Sequence, residues 1–433
     1  MGPYPNGTKQ VRRRTVLETA GVFSIGAVAG CIGLFNDEVG NEEPTYEIWA
    51  LDQGTDVAYV YQPVGDDEFE QVARIDFAAA VADLKDRHHG EQDHDDHNHG
   101  GLAPHMIDFS SDFEYAVVAL HLGDGIGIVR TEDRELIATI PTGHHSHFGA
   151  FAPNDEYITV DHVDGNRVVK VDVDLNAEEF EIVDEIVLTE EAGEEFEGRD
   201  PTCHYYTGTG YTYHTLGPSY HDAGLAVIDH EGFELIKVYT AEEVAANCGV
   251  FPHPEEDVVY LTAGLPSDPD AGAEGVGEYF VMDARTHEVL YNAETRGIDA
   301  HGLWITPDGE ELWITNRETN DGVIVDTASH EIVEEIEQYG PETGEAPGES
   351  DAPDILVASP DGKHMFATAR GPNPVTGHPQ AATGMNSGFF AINLESRERV
   401  RTVRPDPNNP DSDFHGIGIR PLKEFDGFVS SPY

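Results

Sequence analysis

Apolar and polar positions alternate in short segments along most of the chain, and Gly, Pro, Asp and Asn separate these segments. The segments are rich in Val, Ile, Tyr and Phe, which favour strands. One unit recurs: an apolar strand, a turn of the Pro-Asp-Gly kind, a second apolar strand and two further strands. Clear copies begin at His301, His147 and Asp354, looser copies begin at His105 and Cys248, and PTCHYYTGTGYTYHT is a copy with a shortened turn. The pattern predicts an all-β chain built from repeats of about 40–60 residues.

The two ends of the repeat array complement each other. The last copy, which begins at His415, leaves room for a single strand, whereas the first segment has three strands and lacks the opening one. Joining the ends completes one blade and leaves six internal copies. We therefore predict a seven-bladed β-propeller over residues 45–433, closed by the C-terminal strand, because radial closure protects sheet edges. The alternative, a string of independent sandwich domains, does not explain why the ends match.

The N-terminal residues have the pattern of an export signal. Three arginines, Arg12 to Arg14, precede a short apolar run that ends in Val-Ala-Gly-Cys. We interpret residues 1–30 as a twin-arginine-like signal peptide and Cys31 as a lipidated first residue, followed by an acidic tether over residues 31–44. The alternative is an ordinary signal that contains a cysteine by chance. The expected location is extracytoplasmic, with a lipid anchor in the outer face of the cell membrane.

The chain carries 24 Lys+Arg against 83 Asp+Glu, a net charge of −59. Such a field repels phosphate backbones, which excludes nucleic-acid binding and disfavours docking on anionic lipid through a basic patch. The acidic residues are spread along the chain and 39% of residues are hydrophobic, which argues against disorder. We expect a folded protein from a halophilic source, adapted to molar salt in which the Debye length is about 3 Å. Membrane contact is then expected through the lipid anchor only.

One register position of the repeat carries metal-ligating residue types in every copy. The residue six places before the turn proline, or its equivalent, is expected where the innermost strand of each blade enters the central channel. These residues are His105, His147, Cys203 or His204, Cys248, His301, Asp354 and His415. Imidazole, thiolate and carboxylate groups are zinc and copper ligands. The alternative is a set of polar residues that line a water-filled channel.

The channel is wider than one coordination sphere, so only three or four residues from neighbouring blades are expected to bind one ion. The predicted site draws on His105, His147, His301, His415 and Asp354, with His144 and His145 as further imidazoles at the same channel mouth. The positions of Cys203 and Cys248 in adjacent blades of an exported chain favour a disulfide over a pair of thiolate ligands. The isolated histidines are more typical of core or surface positions; they are His121, His162, His214 and His221.

A histidine-rich acidic tract interrupts the repeat before His105. This tract, residues 88–100, has no strand or helix periodicity and contains His88, His89, His94, His97 and His99. Such a composition suits loose capture of divalent metal, at modest affinity because ordering a flexible loop costs entropy. The alternative is a solvated acidic loop. Because the tract runs directly into His105, we expect it over the channel mouth, after a short helix formed by FAAAVADLKD.

An exported propeller with a histidine-rich flexible segment and a His/Asp site at the channel mouth resembles the periplasmic zinc metallochaperones of the AztD type. The resemblance covers about residues 45–430 and rests on HHGEQDHDDHNH, GHHSH, His301 and His415. It implies a Zn²⁺ cargo that passes to the solute-binding protein of a zinc ABC transporter. The axial residues would then form the tight site, and His94, His97 and His99 the capture segment. A lipid anchor departs from a soluble periplasmic protein and suits tethering in a single-membrane archaeon.

Two other classes of function fit part of the pattern. Nitrous oxide reductase, a copper-dependent oxidoreductase, also has a seven-bladed propeller with an axial histidine ring, and GHHSH is similar to its histidine pair. We expect the cysteine-rich copper domain that accompanies that site to be missing here. The other class is a non-catalytic surface interaction platform. The sequence has no P-loop, dinucleotide fingerprint, GxSxG or HExxH motif, so we expect a binding protein and not an enzyme.

Overall fold

The apolar segments of the repeat form β-strands throughout the part of the chain that the computed structural model describes, residues 44–87, 101–344 and 346–427. The strands of the first half are β1 (Tyr46–Asp52), β2 (Val57–Pro63), β3 (Phe69–Asp76), β4 (Pro104–Phe109), β5 (Tyr115–Leu120), β6 (Gly125–Arg130), β7 (Glu135–Ile140), β8 (Ser146–Phe151), β9 (Tyr157–His162), β10 (Arg167–Asp174), β11 (Glu179–Val187), β12 (Asp200–Tyr206), β13 (Tyr211–Gly217) and β14 (Gly224–Asp229). The strands of the second half are β15 (Glu234–Thr240), β16 (Val250–Pro252), β17 (Val258–Leu265), β18 (Val276–Asp283), β19 (Val289–Glu294), β20 (Ala300–Ile305), β21 (Glu311–Asn316), β22 (Asp321–Asp326), β23 (Ile332–Ile336), β24 (Pro353–Ala358), β25 (His364–Ala369), β26 (Gly388–Asn393), β27 (Arg399–Val403) and β28 (Phe414–Pro421). The α-helices are α1 (Phe77–Arg87), α2 (Leu188–Glu191) and α3 (Pro379–Ala382), and two 3-10 helices cover Glu194–Phe196 and Tyr220–Asp222.

The strands pair into seven four-stranded antiparallel sheets, the blades of a propeller. Along the chain, the innermost strands of successive blades are β4, β8, β12, β16, β20, β24 and β28. Each of these strands contacts the next, and β28 contacts β4, so the innermost strands close into a ring. The predicted seven-bladed β-propeller is therefore confirmed.

The ring closes by pairing the two ends of the repeat array. Strand β28 pairs with β1 in a register that runs from Tyr46 opposite Pro421 to Asp52 opposite Phe414. The sheet order β28-β1-β2-β3 gives the first blade its missing innermost strand, as the sequence predicts. Closure satisfies backbone groups that would otherwise form two exposed edges.

Burial along the blades follows from how the sheets stack. Each sheet lies between two neighbours, so its inner strands lose both faces to packing, and β5 (YAVVAL) is buried from Ala116 to Leu120. The outermost strands keep one face in solvent, and most residues of β11 are exposed. Trp49 and Trp313 are fully buried between blades. Burial of each such large apolar side chain contributes roughly 1.5–3 kcal/mol to the free energy of folding. This packing holds the innermost strands, which line the channel and carry the site, in place.

Several predicted features lie outside the described residues: the signal peptide of residues 1–30, Cys31, nearly all of the tether, and the histidine-rich tract of residues 88–100. The described residues from Pro44 onwards belong to one compact unit. The short helix predicted before the tract is present as α1. Within the described residues, no helix is both long enough and apolar enough to span a membrane.

Candidate metal centre

The predicted metal residues occupy one equivalent position in five blades. Each is the second residue of an innermost strand: His105 in β4, His147 in β8, His301 in β20, Asp354 in β24 and His415 in β28. The innermost strands meet around the channel, so these side chains converge at one end of it. The structure brings all five together in one buried cluster, which we call the axial cluster.

Of the remaining two blades, one matches the prediction at this position and the other does not. Gly249 and Gly302 donate the same backbone N–H bond to a threonine hydroxyl of the second strand, so Cys248, which precedes Gly249, is the counterpart of His301 as predicted. The β12 strand has an irregularity between Pro201 and His204 that matches the one between Pro104 and Ile107 in β4. Thr202, and neither Cys203 nor His204, is therefore the counterpart of His105. The shortened turn of this repeat makes the count from the turn wrong by at least one residue.

Cys203 and Cys248 are two buried free thiols, so the predicted disulfide is not formed. The Sγ of Cys203 lies 3.7 Å from Nδ1 of His147, and the Sγ of Cys248 donates to Oδ1 of Asn247 at 3.4 Å. Burial raises the pKa of both thiols well above the ordinary value. Among the described residues, neither thiol belongs to a group of three or more ligand atoms that lie within 4.8 Å of one another, which leaves the imidazoles and Asp354 as the donor set.

His105 and His147 face each other through their Nε2 atoms, which are 3.0 Å apart. Nδ1 of His147 lies 2.8 Å from the carbonyl oxygen of Thr202, which can only accept a hydrogen bond. His147 therefore carries its proton on Nδ1 and presents a lone pair at Nε2.

Gln53 sets the same tautomer in His105. Its Nε2 donates to Oδ2 of Asp413 at 2.8 Å, so its Oε1 is the atom that faces Nδ1 of His105, also at 2.8 Å. Nδ1 of His105 must therefore donate, and its Nε2 also presents a lone pair. Two lone pairs that face each other at 3.0 Å repel unless a cation lies beside both of them.

His301, Asp354 and His415 form the second part of the axial cluster. Nε2 of His301 lies 3.2 Å from Oδ1 of Asp354, and Nε2 of His415 lies 3.7 Å from Oδ2. The ring of His415 stacks on that of His105 with centroids 3.8 Å apart, which joins the two parts. Within the described residues, Oδ1 of Asp354 and Nδ1 of both histidines are buried without a hydrogen-bond partner. Unsatisfied buried polar atoms are rare and commonly mark a site for an ion or water.

Burial favours the neutral form of the axial imidazoles. Burial lowers the pKa of His301 to about 3 and that of His147 to about 4. Burial also holds the pKa of His105 and His415 well below the ordinary value. Protonation of either Nε2 atom of the His105–His147 pair is therefore unfavourable, whereas a metal ion is coordinated by neutral imidazole nitrogen.

A buried ion network supports Asp354. Nη1 of Arg370 donates to Oδ2 of Asp354 at 2.8 Å, and Nε of Arg370 donates to Oδ1 of Asp413 at 2.8 Å. Nε of Arg317 donates to Asp299 at 2.7 Å, and its Nη1 lies 3.5 Å from both Asp354 and His301. Burial opposes ionisation of Asp354, yet the positive charges of the Arg317 and Arg370 guanidinium groups beside it hold its pKa below the ordinary value.

The charges of this network do not balance. Three carboxylates, those of Asp299, Asp354 and Asp413, face two guanidinium groups, those of Arg317 and Arg370. A buried excess of negative charge is costly unless a cation compensates it. Within each part of the cluster, the donor pairs lie 3.0–3.7 Å apart, close to the roughly 3.3 Å that zinc bonds of about 2.0–2.1 Å require in a tetrahedral site. The ligand atoms of His301, Asp354 and His415 all lie within 4.8 Å of one another. The axial cluster therefore fits a divalent metal ion.

A second buried group, Asp161 with His204 and His214, is already saturated. Nδ1 of each histidine lies 2.7 Å from a different oxygen of Asp161. Nε2 of His204 and His214 bond to the hydroxyl groups of Thr159 and Thr212 at 2.6 and 2.8 Å. Since every ring nitrogen has a partner, this group ties β9 to β12 and β13 and is not a metal site.

His144 and His145 lie apart from the axial cluster, on the loop between β7 and β8. With Asp164 they form a third group whose ligand atoms all lie within 4.8 Å of one another. Their connection to the axial cluster runs through His121, which the sequence analysis assigned to a core or surface position. The ring of His121 lies 5.1 Å from that of His105 and 4.7 Å from that of His145.

Four residues near the cluster that the repeat pattern did not predict share a second register position. Each directly follows the second strand of its blade: Gln53 after β1, His121 after β5, Arg317 after β21 and Arg370 after β25. The ends of these strands lie opposite the starts of the innermost strands, so their next residues reach the same channel mouth. A count from the end of the second strand would have found them.

Fold and site together define a seven-bladed β-propeller protein whose channel mouth carries a buried His/Asp cluster that can hold a metal ion. No protein-family model matches the chain, and no curated protein matches it significantly.

Among solved structures, the chain is similar to the Dos1 propeller, with a TM-score of 0.51 and 11% identity over 73% of this chain and 72% of that chain. It is also similar to dihydro-heme d1 dehydrogenase NirN in complex with DHE, with a TM-score of 0.51 and 12% identity over 89% of this chain and 77% of that chain. Hydrazine synthase of Kuenenia stuttgartiensis matches at a TM-score of 0.48 and 14% identity over 74% and 98% of the two chains. The likenesses to the Dos1 propeller and to NirN support the propeller fold and no particular activity.

Proposed function

We propose that this protein binds a divalent metal ion, zinc, in the axial cluster. The observation that carries the proposal is the pair of Nε2 atoms of His105 and His147, 3.0 Å apart. The acceptors that face the two Nδ1 atoms leave a lone pair on each Nε2. Fixed Nδ1 donors of this kind orient metal-ligating histidines and raise their basicity. Neutral imidazole with one carboxylate and no ionised thiol suits zinc.

Metal analysis of the purified full chain tests this function. The protein is stripped with a chelator and reloaded with zinc or with copper(II), and the bound metal is counted after gel filtration. We expect one tightly held zinc in the wild type and none in His105→Ala/His147→Ala. The matched control is His221→Ala/His378→Ala, which removes two exposed histidines of other blades and should bind zinc as the wild type does.

Each other outcome of this experiment has a defined meaning. Tight zinc binding in His105→Ala/His147→Ala would show that the axial pair is not the site. A coloured copper centre with turnover of a redox substrate would replace this proposal with the copper oxidoreductase. If the wild type binds no metal stoichiometrically, the non-catalytic surface interaction platform would be the remaining candidate function.

We further propose that the bound zinc is cargo, passed to the solute-binding protein of a zinc ABC transporter. The basis is the juxtaposition, in sequence, of a histidine-rich tract at residues 88–100 and the tight-site residue His105. A loose collector next to a buried site suits delivery better than catalysis. The lipid anchor at Cys31 would hold the protein at the outer face of the membrane, beside its partner.

Transfer is measured by mixing the zinc-loaded chain with a purified zinc solute-binding protein in the presence of a chelator that traps free zinc. We expect zinc to reach the solute-binding protein faster than it reaches the chelator alone. A variant that lacks residues 88–99 should keep the tight zinc and load more slowly. Transfer that proceeds only through released zinc would rule out the chaperone role and leave zinc binding intact.

A further inference from the structure

A line of three histidines connects solvent to the axial cluster. The rings of His144 and His145 are 3.8 Å apart, and the rings of His145 and His121 are 4.7 Å apart. From His121 the next rings are His105 at 5.1 Å and His147 at 6.0 Å. No step between the centroids of neighbouring rings is longer than 6.0 Å.

Exposure falls steadily along this line. The side chain of His144 is 43% exposed and that of His145 is 27% exposed, whereas His121 is only 9% exposed. Carboxylates accompany the outer two histidines and are absent, among the described contacts, from the inner one. Nδ1 of His144 lies 2.5 Å from Oδ1 of Asp124, and Nδ1 of His145 lies 3.4 Å from Oδ2 of Asp164.

His121 is the step between surface and interior. Its Nδ1 is buried and has no hydrogen-bond partner within the described residues. A buried ring nitrogen without a partner costs free energy, and here it lies between an outer group with a carboxylate and the inner pair. A residue that served only to fill space at this position would not need a ring nitrogen.

The loop that carries the outer histidines is held in place. His145 has a φ of 49° and Gly143 a φ of 136°, conformations that cost energy or require glycine. The hydroxyl groups of Thr142 and Ser146 bond to each other at 3.0 Å beneath the loop. These contacts hold the loop that places the two imidazoles at the solvent-exposed end of the line, next to His121.

We propose that His144, His145 and His121 form an access route for a divalent cation. His145 and Asp164 form a weak binding site at its outer end, which we call the outer stop. His121 binds the ion next and passes it to the axial pair. The proposal rests on the proposed function, because it needs a metal that reaches the axial cluster. It assigns a role to residues that do not belong to the tight site. The acidic groups at the outer stop attract the ion, and the neutral interior imidazoles then bind it without a carboxylate to retain it on the way.

Stopped-flow loading with zinc ions tests the route, with a fluorescent zinc chelator as the competing reporter. Two variants interrupt it: His144→Ala/His145→Asn, in which Asn tolerates the positive φ, and His121→Leu. The matched control is His221→Ala, an exposed histidine of another blade. We expect both route variants to bind the same amount of zinc at equilibrium and to load about tenfold more slowly, the lower end of the gain that a focused entrance gives to an on-rate.

The outcomes separate the route from the function. Unchanged loading rates in both route variants would overturn the route and leave the axial site standing. An equal loss of affinity and rate would place these histidines in the tight site and also overturn the route. Absence of tight zinc in the wild type would instead remove the proposed function. In the background of His105→Ala/His147→Ala, we expect a weak zinc site that disappears when His145→Asn is added, and its persistence would contradict the outer stop.

Discussion

An imidazole binds a metal ion only through a nitrogen that carries a lone pair, and its neighbours decide which nitrogen that is. Here the choice is made by two groups that are not metal ligands: the carbonyl oxygen of Thr202 for His147, and the side chain of Gln53 for His105. Gln53 is in turn oriented by Asp413. The axial pair is thus preorganised, and binding of an ion does not require rearrangement of the rings.

Replacement of Gln53 by Ala should weaken zinc binding without removing a ligand. Loss of the acceptor frees His105 to place its proton on Nε2, so part of the population no longer presents the lone pair. We expect the zinc dissociation constant to rise about 10–100-fold, as for other residues that orient metal-binding histidines. Competition with a zinc chelator of known affinity measures the change.

The control for this substitution is Gln71→Ala, at an exposed position of β3. It should leave zinc affinity unchanged, and both variants should unfold at a temperature close to that of the wild type. If Gln53→Ala binds zinc with wild-type affinity, the tautomer of His105 is not set by Gln53. The argument that both Nε2 atoms carry a lone pair would then rest on His147 alone.

At the scale of single residues, the repeat register predicted which side chains would meet but not what orients them. His105, His147, His301, Asp354 and His415 were found because they share a fixed distance from a turn. Gln53 and His121 were not, because a glutamine and an isolated histidine carry no signal until the pairing of second strands is known. Cys203 was misplaced because the turn of its repeat is shorter.

At the scale of strands and blades, the sequence predicted the closure because a missing strand is visible by counting. The first segment has three strands and the last copy has one, and β28 pairs with β1 as required. The bulges near the starts of the innermost strands could not be predicted, since they depend on pairing. These bulges decide that Thr202 occupies the channel position of its blade.

Neighbouring blades are joined by a buried carboxyl group that makes stability depend on pH. Asp108 of β4 accepts a hydrogen bond from the backbone N–H of Phe151 in β8 at 3.0 Å. Burial raises the pKa of Asp108 to about 7. Because the folded state holds this proton more tightly than the unfolded state, the free energy of unfolding falls as pH rises from about 4 to about 7, by roughly 1.4 kcal/mol per pH unit.

Asp108→Asn should remove this contribution and keep an acceptor for the N–H of Phe151. We expect the variant to gain stability relative to wild type progressively between pH 4 and pH 7 and to be more stable at pH 8. Denaturant unfolding at constant high salt measures the difference. Asp172→Asn, at an exposed position of β10, should show no such trend. A difference between Asp108→Asn and wild type that stays constant with pH would contradict a raised pKa.

At the scale of the whole molecule, the net charge of −59 acts on both stability and metal uptake. Self-repulsion among so many carboxylates opposes the compact state, and the same field concentrates divalent cations near the protein. Salt weakens both effects. In molar salt, long-range attraction of zinc is largely screened, so the proposed uptake would then rely on short contacts such as those of His145 and Asp164.

The thermal stability of the chain should therefore rise steeply with salt. Increasing potassium chloride from about 0.1 M to about 1 M shortens the Debye length from roughly 10 Å to 3 Å, below most distances between surface charges. If screening is the cause, most of the gain in melting temperature is complete near 1 M. Sucrose, which stabilises proteins by exclusion from their surface and screens nothing, should then not replace the salt. Calorimetry of the full chain in both series decides between the two. A melting temperature that rises equally with sucrose, or that does not change with salt, would show that the −59 charge does not limit folding.

Zinc loading measured in the same salt series should slow as stability rises, because the same negative field opposes folding and attracts the zinc ion.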